Sequence, residues 1–332
     1  MATTSPELAR PNQPNVEEFQ RPVRSLWSDA WRRLRKNKLA MLSIAYLIFL
    51  SIIAIGAPFF APYHPGNPPS TELRERGSYR QAAWIETGNP RTTGKWEYLL
   101  GTDQVGRDIF SRLIYGTRVS IIVGFIPMIF TLLIGVTIGL ISGYVGGRVD
   151  SILMRFTDVI FALPDILFFI IVQTAFSDTT LGRMFNGLVL IFLSFSAVSW
   201  AGIARLVRGQ VLSLKEKEFV ESARAIGVRG NKILMRHILP NSLAPIIVAA
   251  AFIVPGAIVT EAVLSFLGIG IQPSISQDNP FPTSWGNMIL VGNSAKDSQP
   301  WMLIAPALAI ASITIAFVSL GDGLRDALDP RS

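Results

Sequence analysis

The chain has 332 residues, of which 50% are hydrophobic and only 16% are charged, and its mean hydropathy is +0.41. This balance excludes an ordinary soluble domain and predicts an integral membrane protein with several spans of about 20 apolar residues. The formal net charge of +7 does not indicate nucleic acid binding, because the Lys and Arg residues cluster beside the apolar runs, as the positive-inside rule expects.

Cysteine and histidine limit the chemistry further. The chain has no cysteine, which excludes disulfides and thiolate catalysis, and its two histidines, His64 and His237, lie far apart in the sequence. This spacing predicts no metal site.

The N-terminal region is predicted to be a polar tail followed by an amphipathic helix. Residues 1–24 are polar and dotted with proline, so we expect a disordered cytoplasmic tail. Residues 25–38 carry several Lys and Arg residues and place four apolar residues on one helical face: Trp27, Ala30, Trp31 and Leu34. The pattern predicts an interfacial helix on the cytoplasmic leaflet.

Six apolar runs follow and predict six transmembrane helices. They cover residues 39–60, 120–144, 152–174, 186–206, 242–269 and 301–320. An even number of spans places both termini and the Lys- and Arg-rich segment 207–242 in the cytoplasm. The remaining parts of the chain are an outer segment at 61–118, a membrane core at 119–320 with an outer loop at 270–300, and a cytoplasmic tail at 321–332.

Small and acidic residues within these runs predict specific contacts. Three glycines at i+4 spacing, Gly135, Gly139 and Gly143, favour close helix packing within the chain. Three acids are costly in a bilayer and are therefore candidate functional groups: Asp158, Asp165 and Glu261.

For each of these acids a structural role competes with a functional one. Asp158 lies one turn from Arg155, which predicts a local ion pair. Asp165 follows Pro164 and either stabilises a kink or lines a pore. Glu261 either faces a translocation path or makes a helix–helix contact.

The segment from Glu216 to Pro245 is a basic island between two apolar runs. We expect a helix from Glu218 to Ile226, with an apolar stripe formed by Phe219, Val220, Ala223 and Ile226. Gly227 offers a C-cap, and a second helix from Lys232 to Ile238 is expected to end at Leu239–Pro240. Such a helix suits docking to a partner, although an ordinary basic loop is the alternative.

A second motif precedes the second apolar run, in the segment LLGTDQVGRDIFSR. Gly101 and Gly106 are suited to turns, and Asp103 or Asp108 is placed to cap the following helix. Arg107, Arg112 and Arg118 lie in this predicted outer region, against the usual charge bias.

These motifs carry a family resemblance. Glu221, Ala223, Gly227, Leu239 and Pro240 have the spacing of the EAA loop of permease subunits in binding-protein-dependent ABC importers. Further blocks resemble the dipeptide/oligopeptide C-subunit branch of this family: HILPN, the GTDQVGRDIFSR segment, MRFTDVIFALPDILFFI, TEAVLSFLGIG and GDGLRDALDPR. The chain departs from the family pattern at Ser222 and Val318 and in outer loops at 66–97 and 272–284.

The resemblance implies an all-α ABC importer permease fold of six transmembrane helices in a bacterial or archaeal plasma membrane. It implies as partners a second homologous permease, two ABC ATPase subunits, an extracytoplasmic binding protein and membrane lipid, with no nucleic acid. The residues that it assigns to ATPase coupling are Glu218, Phe219, Glu221, Ser222, Ala223, Arg224, Ala225, Gly227, Leu239 and Pro240.

The sequence itself holds no G-x-x-x-x-G-K-[ST] loop, no nucleophile elbow and no HExxH helix. We therefore expect no enzymatic activity and no cofactor in this chain, with ATP and Mg²⁺ bound by the partner ATPases. Di- and oligopeptides are the expected cargo, with nickel, glutathione or oligosaccharides as alternatives. A proton-coupled carrier using the membrane acids is the alternative class.

Overall fold

The structure, a computed structural model, describes residues 26–76, 80–276 and 279–328, so the tail expected to be disordered at 1–24 lies outside it. The described residues form fourteen α-helices and no β-strand beyond an isolated bridge between Thr102 and Asp108. The helices are α1 Leu26–Lys36, α2 Lys38–Ile55, α3 Ala57–Phe60, α4 Thr71–Arg76, α5 Ile109–Val145, α6 Gly147–Phe161, α7 Asp165–Phe176, α8 Thr180–Arg183, α9 Leu188–Lys215, α10 Glu218–Ala225, α11 Gly230–Ile233, α12 Leu239–Phe266, α13 Trp285–Ser294 and α14 Trp301–Leu328.

Five helical stretches in the described part of the chain are long and apolar enough to cross a membrane. They are Lys38–Ile55, Ile109–Val145, Thr180–Lys215, Gly230–Phe266 and Trp301–Leu328. A sixth span exists if the bent pair α6 and α7 is counted as one. The prediction of a helical, multi-pass membrane protein is confirmed, with five or six spans.

The third predicted span is broken rather than continuous. Helices α6 and α7 meet at 78°, and Pro164 is the residue that precedes α7. Proline has no N–H to donate and disfavours a helical residue before it, so the hydrogen-bond ladder stops here. The third span, expected over 152–174 with a possible kink at Pro164, is therefore two helices joined by a sharp bend.

Several other predicted boundaries also move. The first run, expected as 39–60, divides at Gly56 into α2 and the short α3. The second helix begins at Ile109 rather than near 120, so its first part belongs to the segment expected outside the core. The tail expected at 321–332 is helical as far as Leu328, because α14 continues into it, and the outer loop 270–300 contains α13.

The three glycines at i+4 spacing on α5, which we call the glycine ladder, pack against α9. Close helix packing at these glycines was predicted. A Cβ on Gly135 would lie 2.7 Å from the Ile203 Cβ, and one on Gly139 would lie 2.6 Å from the Ala204 carbonyl oxygen. At Gly143 the nearest atom would be the Val211 Cβ, at 2.8 Å. Only glycine allows the two helix backbones to approach this closely.

Helix α1 packs against the last turns of α14 and the start of α2. Ala30 and Leu34 are buried, and a Cβ on Gly323 would lie 2.5 Å from the Ala40 Cβ. Trp31 remains half exposed, with Arg35 4.9 Å above its ring. The Trp27 side chain lies outside the described set, so the face predicted for α1 is seen only in part.

The long helices define two ends of the molecule. The end formed by residues 146–147 and 216–238 carries α10 and is called the α10 end. The opposite end, formed by residues 61–76, 80–108, 177–187, 267–276 and 279–300, carries α13 and is called the α13 end. Helix α9, with 28 residues, runs from the α13 end to the α10 end over about 42 Å.

Buried polar contacts build the α13 end. Asp103 accepts from Arg107 at 2.8 Å and from Arg112 at 2.5 Å, and Arg112 also reaches Thr283 and Asn287. Asp103 thus supplies a counter-charge for two arginines in a segment that was predicted to lie outside.

The other predicted cap, Asp108, begins α5 by accepting from the Ser111 N–H at 2.7 Å. The pKa of Asp108 is raised, because burial raises it more than the hydrogen bonds from Ser111 lower it. Arg118 donates to the carbonyls of Ala54 and Ile55, at the last turn of α2.

Candidate functional site

Helix α10 has the charge distribution of a stable short helix. Glu218 and Glu221 lie in its first turn, where the helix dipole favours negative charge, and Arg224 lies in its last turn. The preceding residue, Lys217, makes no side-chain capping bond. Packing rather than capping must therefore hold this eight-residue helix in place.

The anchor of α10 consists of Val220 and Ala223. Both are buried in a core cluster that includes Val211 of α9 and Ile233 of α11. The predicted stripe is corrected at its two ends, because Phe219 is 42% exposed and Ile226 is 81% exposed. Two large apolar side chains thus face away from the core that holds the helix.

Gly227 ends α10, as predicted. Its φ of +78° lies in the left-handed region, where a side chain would be strained. Its N–H donates to the Arg224 carbonyl, and the Val228 N–H donates to the Ala223 carbonyl at 3.1 Å. This is the hydrogen-bond pattern of a Schellman cap, and it turns the chain back towards α11.

The predicted helix end at Leu239–Pro240 is wrong. Helix α11 passes through a π-helical turn at Leu234–Ile238 directly into α12, which has Pro240 in its first turn. A proline is tolerated there because the wider turn relieves the loss of a backbone donor. Leu239 packs at the edge of the same core cluster as α10.

The structure gathers most of the predicted coupling residues on one surface, which we call the α10 surface. Its exposed members are Glu218, Phe219, Glu221, Ser222, Arg224, Ala225, Ile226 and Gly227. Ala223 and Leu239 instead contribute to packing, and Pro240 is exposed at the start of α12. The sequence prediction left out Ile226 as a site residue, although an isoleucine in a charged segment was a signal for it.

The membrane acids have three different environments. Asp158 pairs with Arg205 of α9 at 2.6 Å, which corrects the expected pair with Arg155. Glu261 is 1% exposed and accepts from the Ser265 hydroxyl at 2.6 Å, so its carboxyl group faces the interior of the subunit rather than an open path. Asp165 is exposed in the first turn of α7, and no side chain caps the start of this helix.

Two segments of the chain match known protein families. Residues 135–332 match the family described as binding-protein-dependent transport system inner membrane component, and residues 25–75 match the N-terminal TM domain of oligopeptide transport permease C. The chain belongs to this family of transport permeases. The predicted membership in the ABC importer permeases is thereby confirmed.

Curated relatives extend the similarity over nearly the whole permease. The oligopeptide transport system permease protein OppC of Haemophilus influenzae is 39% identical over 95% of this chain and 92% of its own. The dipeptide transport system permease protein DppC of Bacillus subtilis is 38% identical over 95% of this chain and 89% of its own. The glutathione transport system permease protein GsiD of Pectobacterium atrosepticum is 37% identical over 93% and 92%.

A solved structure shares the permease fold. A chain of the MetNI methionine ABC transporter, in inward-facing conformations, superposes with a TM-score of 0.50. It covers 65% of this permease and 96% of its own length at 15% identity, so the likeness concerns the fold alone. The predicted fold class is confirmed by this match together with the helical architecture.

Proposed function

We propose that this permease forms half of the channel of an ATP-driven importer of di- and oligopeptides. A second homologous permease supplies the other half, two ATPase subunits bind ATP and Mg²⁺, and an extracytoplasmic binding protein delivers the peptide. The permease itself holds no cofactor and catalyses no reaction. The names of the OppC and DppC relatives support the peptide cargo.

The observation that carries the coupling role is the α10 surface. Phe219 and Ile226 are exposed, whereas Val220 and Ala223 of the same segment are buried. Exposed apolar side chains rimmed by charges are typical of a protein interface. The charges here are Glu218, Glu221 and Arg224, and we propose that an ATPase subunit covers this surface.

The mechanism follows from how α10 is joined to the spans. Val220 and Ala223 pack in one cluster with Val207 and Val211 of α9 and with Ile246 of α12. A displacement of α10 by a closing ATPase therefore pushes on both spans, because a close-packed core transmits a shift instead of absorbing it. Asp165, at the bend between α6 and α7, is the remaining candidate for the translocation path.

The orientation in the membrane is part of the proposal. The α10 end lies in the cytoplasm with both termini, and the α13 end lies outside the plasma membrane of a bacterium or archaeon. The basic residues of the connecting segment support this, since Lys and Arg accumulate on the cytoplasmic side. They include Lys215, Lys217, Arg224, Arg229, Lys232 and Arg236.

The decisive experiment changes the α10 surface without changing its anchor. Ile226→Asp and Glu221→Lys alter exposed side chains, so we expect normal insertion and folding. Peptide uptake by the complete complex should fall at least about tenfold, which corresponds to about 1.4 kcal/mol of docking energy. The readouts are uptake of labelled tri-alanine and the amount of ATPase that co-purifies with the permease.

Glu97→Lys is the matched control, because it reverses an exposed charge at the α13 end. It should leave ATPase co-purification unchanged. Full uptake and full ATPase recovery in both α10 variants would contradict the proposal.

A glutathione importer is the second candidate, supported by the GsiD relative. Glutathione is itself a tripeptide with free carboxylates, so the same chemistry serves both cargoes. Competition between unlabelled glutathione and labelled tri-alanine distinguishes them. A proton-coupled carrier would instead continue transport after ATP depletion and stop when the proton gradient is removed.

A further inference from the structure

A cavity of about 500 Å³ lies at the α13 end, apart from the α10 surface. The end of α7, the residues before α9 and the segment after α12 enclose it. Its volume falls within the range of pockets that hold small ligands. Neither the coupling role nor the membrane acids account for it.

Two side-chain amides line this cavity with unused donors. Gln173 is 5% exposed, and its Nε2 has no hydrogen-bond partner among the described residues. The Asn186 Nδ2 is also buried and has no partner in the described part of the chain. Buried amide groups are nearly always paired, so these two donors are candidates to bind an acceptor that enters the cavity.

The backbone holds Asn186 in an unusual conformation. Phe185 and Asn186 have φ values of +49° and +60°, in the left-handed region that is rare for residues other than glycine. The Asn186 carbonyl accepts from the Gln272 N–H at 3.1 Å, which ties the turn to the segment after α12. The Gln272 side-chain amide is already occupied, because it donates to the carbonyls of Gly268 and Gly270. Strain of this kind is often found where a side chain is aimed at a ligand.

The charge of the cavity is positive. Arg183 is the only charged residue among those described that line it. Its nearest acid, Asp178, lies 3.8 Å away, and the side chains are 74% and 96% exposed. An ion pair this exposed is weak and leaves Arg183 available to another anion. Two amide donors with a guanidinium are suited to a carboxylate, which accepts several hydrogen bonds.

We propose that this cavity binds the C-terminal carboxylate of a short peptide at the outer face of the permease. Gln173 and Asn186 donate to the carboxylate oxygens, and Arg183 supplies the opposite charge. The inference rests on the proposed function, which places the α13 end outside and makes peptides the cargo. It adds a recognition site in this chain that is separate from the ATPase contact.

The test uses the absence of cysteine from this chain. Ser177→Cys introduces an exposed thiol at the cavity, and Ser213→Cys places one near the α10 end. The complete complex is treated with a maleimide, without nucleotide, and modification of the permease is followed by mass spectrometry. Millimolar tri-alanine should slow labelling at position 177 and leave position 213 unaffected, and tri-alanine amide should protect less because it lacks the carboxylate.

Two substitutions then remove the donors. Gln173→Met keeps the side-chain length, and Asn186→Asp keeps a residue that tolerates the left-handed region while it replaces a donor with a negative oxygen. Each should raise the protecting concentration of tri-alanine at least about tenfold, the usual effect of a lost hydrogen bond to a charged group. Thr174→Val is the control, because that hydroxyl already donates to the Ile170 carbonyl at 2.8 Å.

The outcomes separate this inference from the proposed function. If the unaltered complex imports tri-alanine but position 177 is not protected, the cavity is not a peptide site. The inference would also be overturned if Gln173→Met and Asn186→Asp were protected as well as the unaltered complex. Protection by tri-alanine amide equal to that by tri-alanine would overturn it too. If the complex does not import peptides at all, the proposed function fails first.

Discussion

At the scale of single residues, a buried cluster of charges holds the start of α5. Asp103 lies between Arg107 and Arg112, and Arg112 is 2% exposed. Removal of one partner from such a pair leaves a charge without compensation in a low-dielectric site, which costs more than the pair contributes. The motif at 101–112 thus positions the start of α5.

We expect Asp103→Asn to lower the free energy of unfolding by about 3 kcal/mol, because it leaves Arg112 without its carboxylate. The denaturation midpoint of the detergent-solubilised permease measures the effect. Asp178→Asn is the control, since the pair with Arg183 is exposed and its loss should leave the midpoint unchanged. Equal midpoints for both variants would show that the Asp103 cluster does not stabilise the fold.

At the scale of elements, close helix contacts and turn geometry decide where each helix lies. The α5–α9 contact depends on glycines that would clash with backbone atoms if they carried a side chain, as at Gly139. Helix α10 depends on two buried side chains and the left-handed Gly227. A substitution at either place therefore acts on the position of a whole helix.

Gly139→Leu should destabilise the permease by about 1–3 kcal/mol, because the new side chain overlaps the Ala204 carbonyl and Val207. The matched control is Gly202→Ala on α9, where an added Cβ meets no atom within 4 Å. This change should leave stability equal or higher, since alanine restricts the unfolded chain. Thermal denaturation of the isolated permease in detergent compares the two, and a stable Gly139→Leu would argue against the packed ladder.

Gly227→Pro tests whether the turn that ends α10 is required, because it leaves the exposed side chains of α10 unchanged. Proline fixes φ near −65° and removes the N–H that donates to Arg224, so the Schellman cap cannot form. We expect loss of ATPase co-purification with normal membrane levels. Gly227→Asn, which tolerates the left-handed region, should retain most of the uptake. Equal uptake in the two variants would show that this turn geometry is not required.

At the scale of the whole molecule, the two ends contain different kinds of side chain. The α10 end exposes a charged helix with apolar side chains, whereas the α13 end holds buried ion pairs, capped turns and a polar cavity. About 42 Å of helix separates them. In the proposed function, the ATPase acts on the α10 end and the peptide arrives at the α13 end.

The orientation is tested with single cysteines at the two ends. We expect an impermeant thiol reagent to label Ser294→Cys, at the end of α13, in intact cells. Ser213→Cys should react only after permeabilisation, because it lies near the α10 end. The reverse labelling pattern would invert the proposed topology.

The sequence by itself determined the fold class, the approximate spans and the local caps. Hydrocarbon offers no partner for backbone groups, and an apolar run of about 20 residues fits a spanning helix and is about twice as long as a spanning strand. Gly227, Asp108 and the glycines of α5 were also predictable, because each acts through its own backbone or through a fixed helical spacing.

Only the tertiary structure decided which neighbours each helix face meets. A helical pattern gives the angle of a side chain but not the element beside it. Phe219 and Ile226 were therefore assigned to one apolar stripe with Val220 and Ala223, although only the latter two are buried. For the same reason Asp158 pairs with Arg205 from another helix, and Glu261 lies inside the subunit. These contacts depend on how distant segments pack, and a single helical period carries no information about that packing.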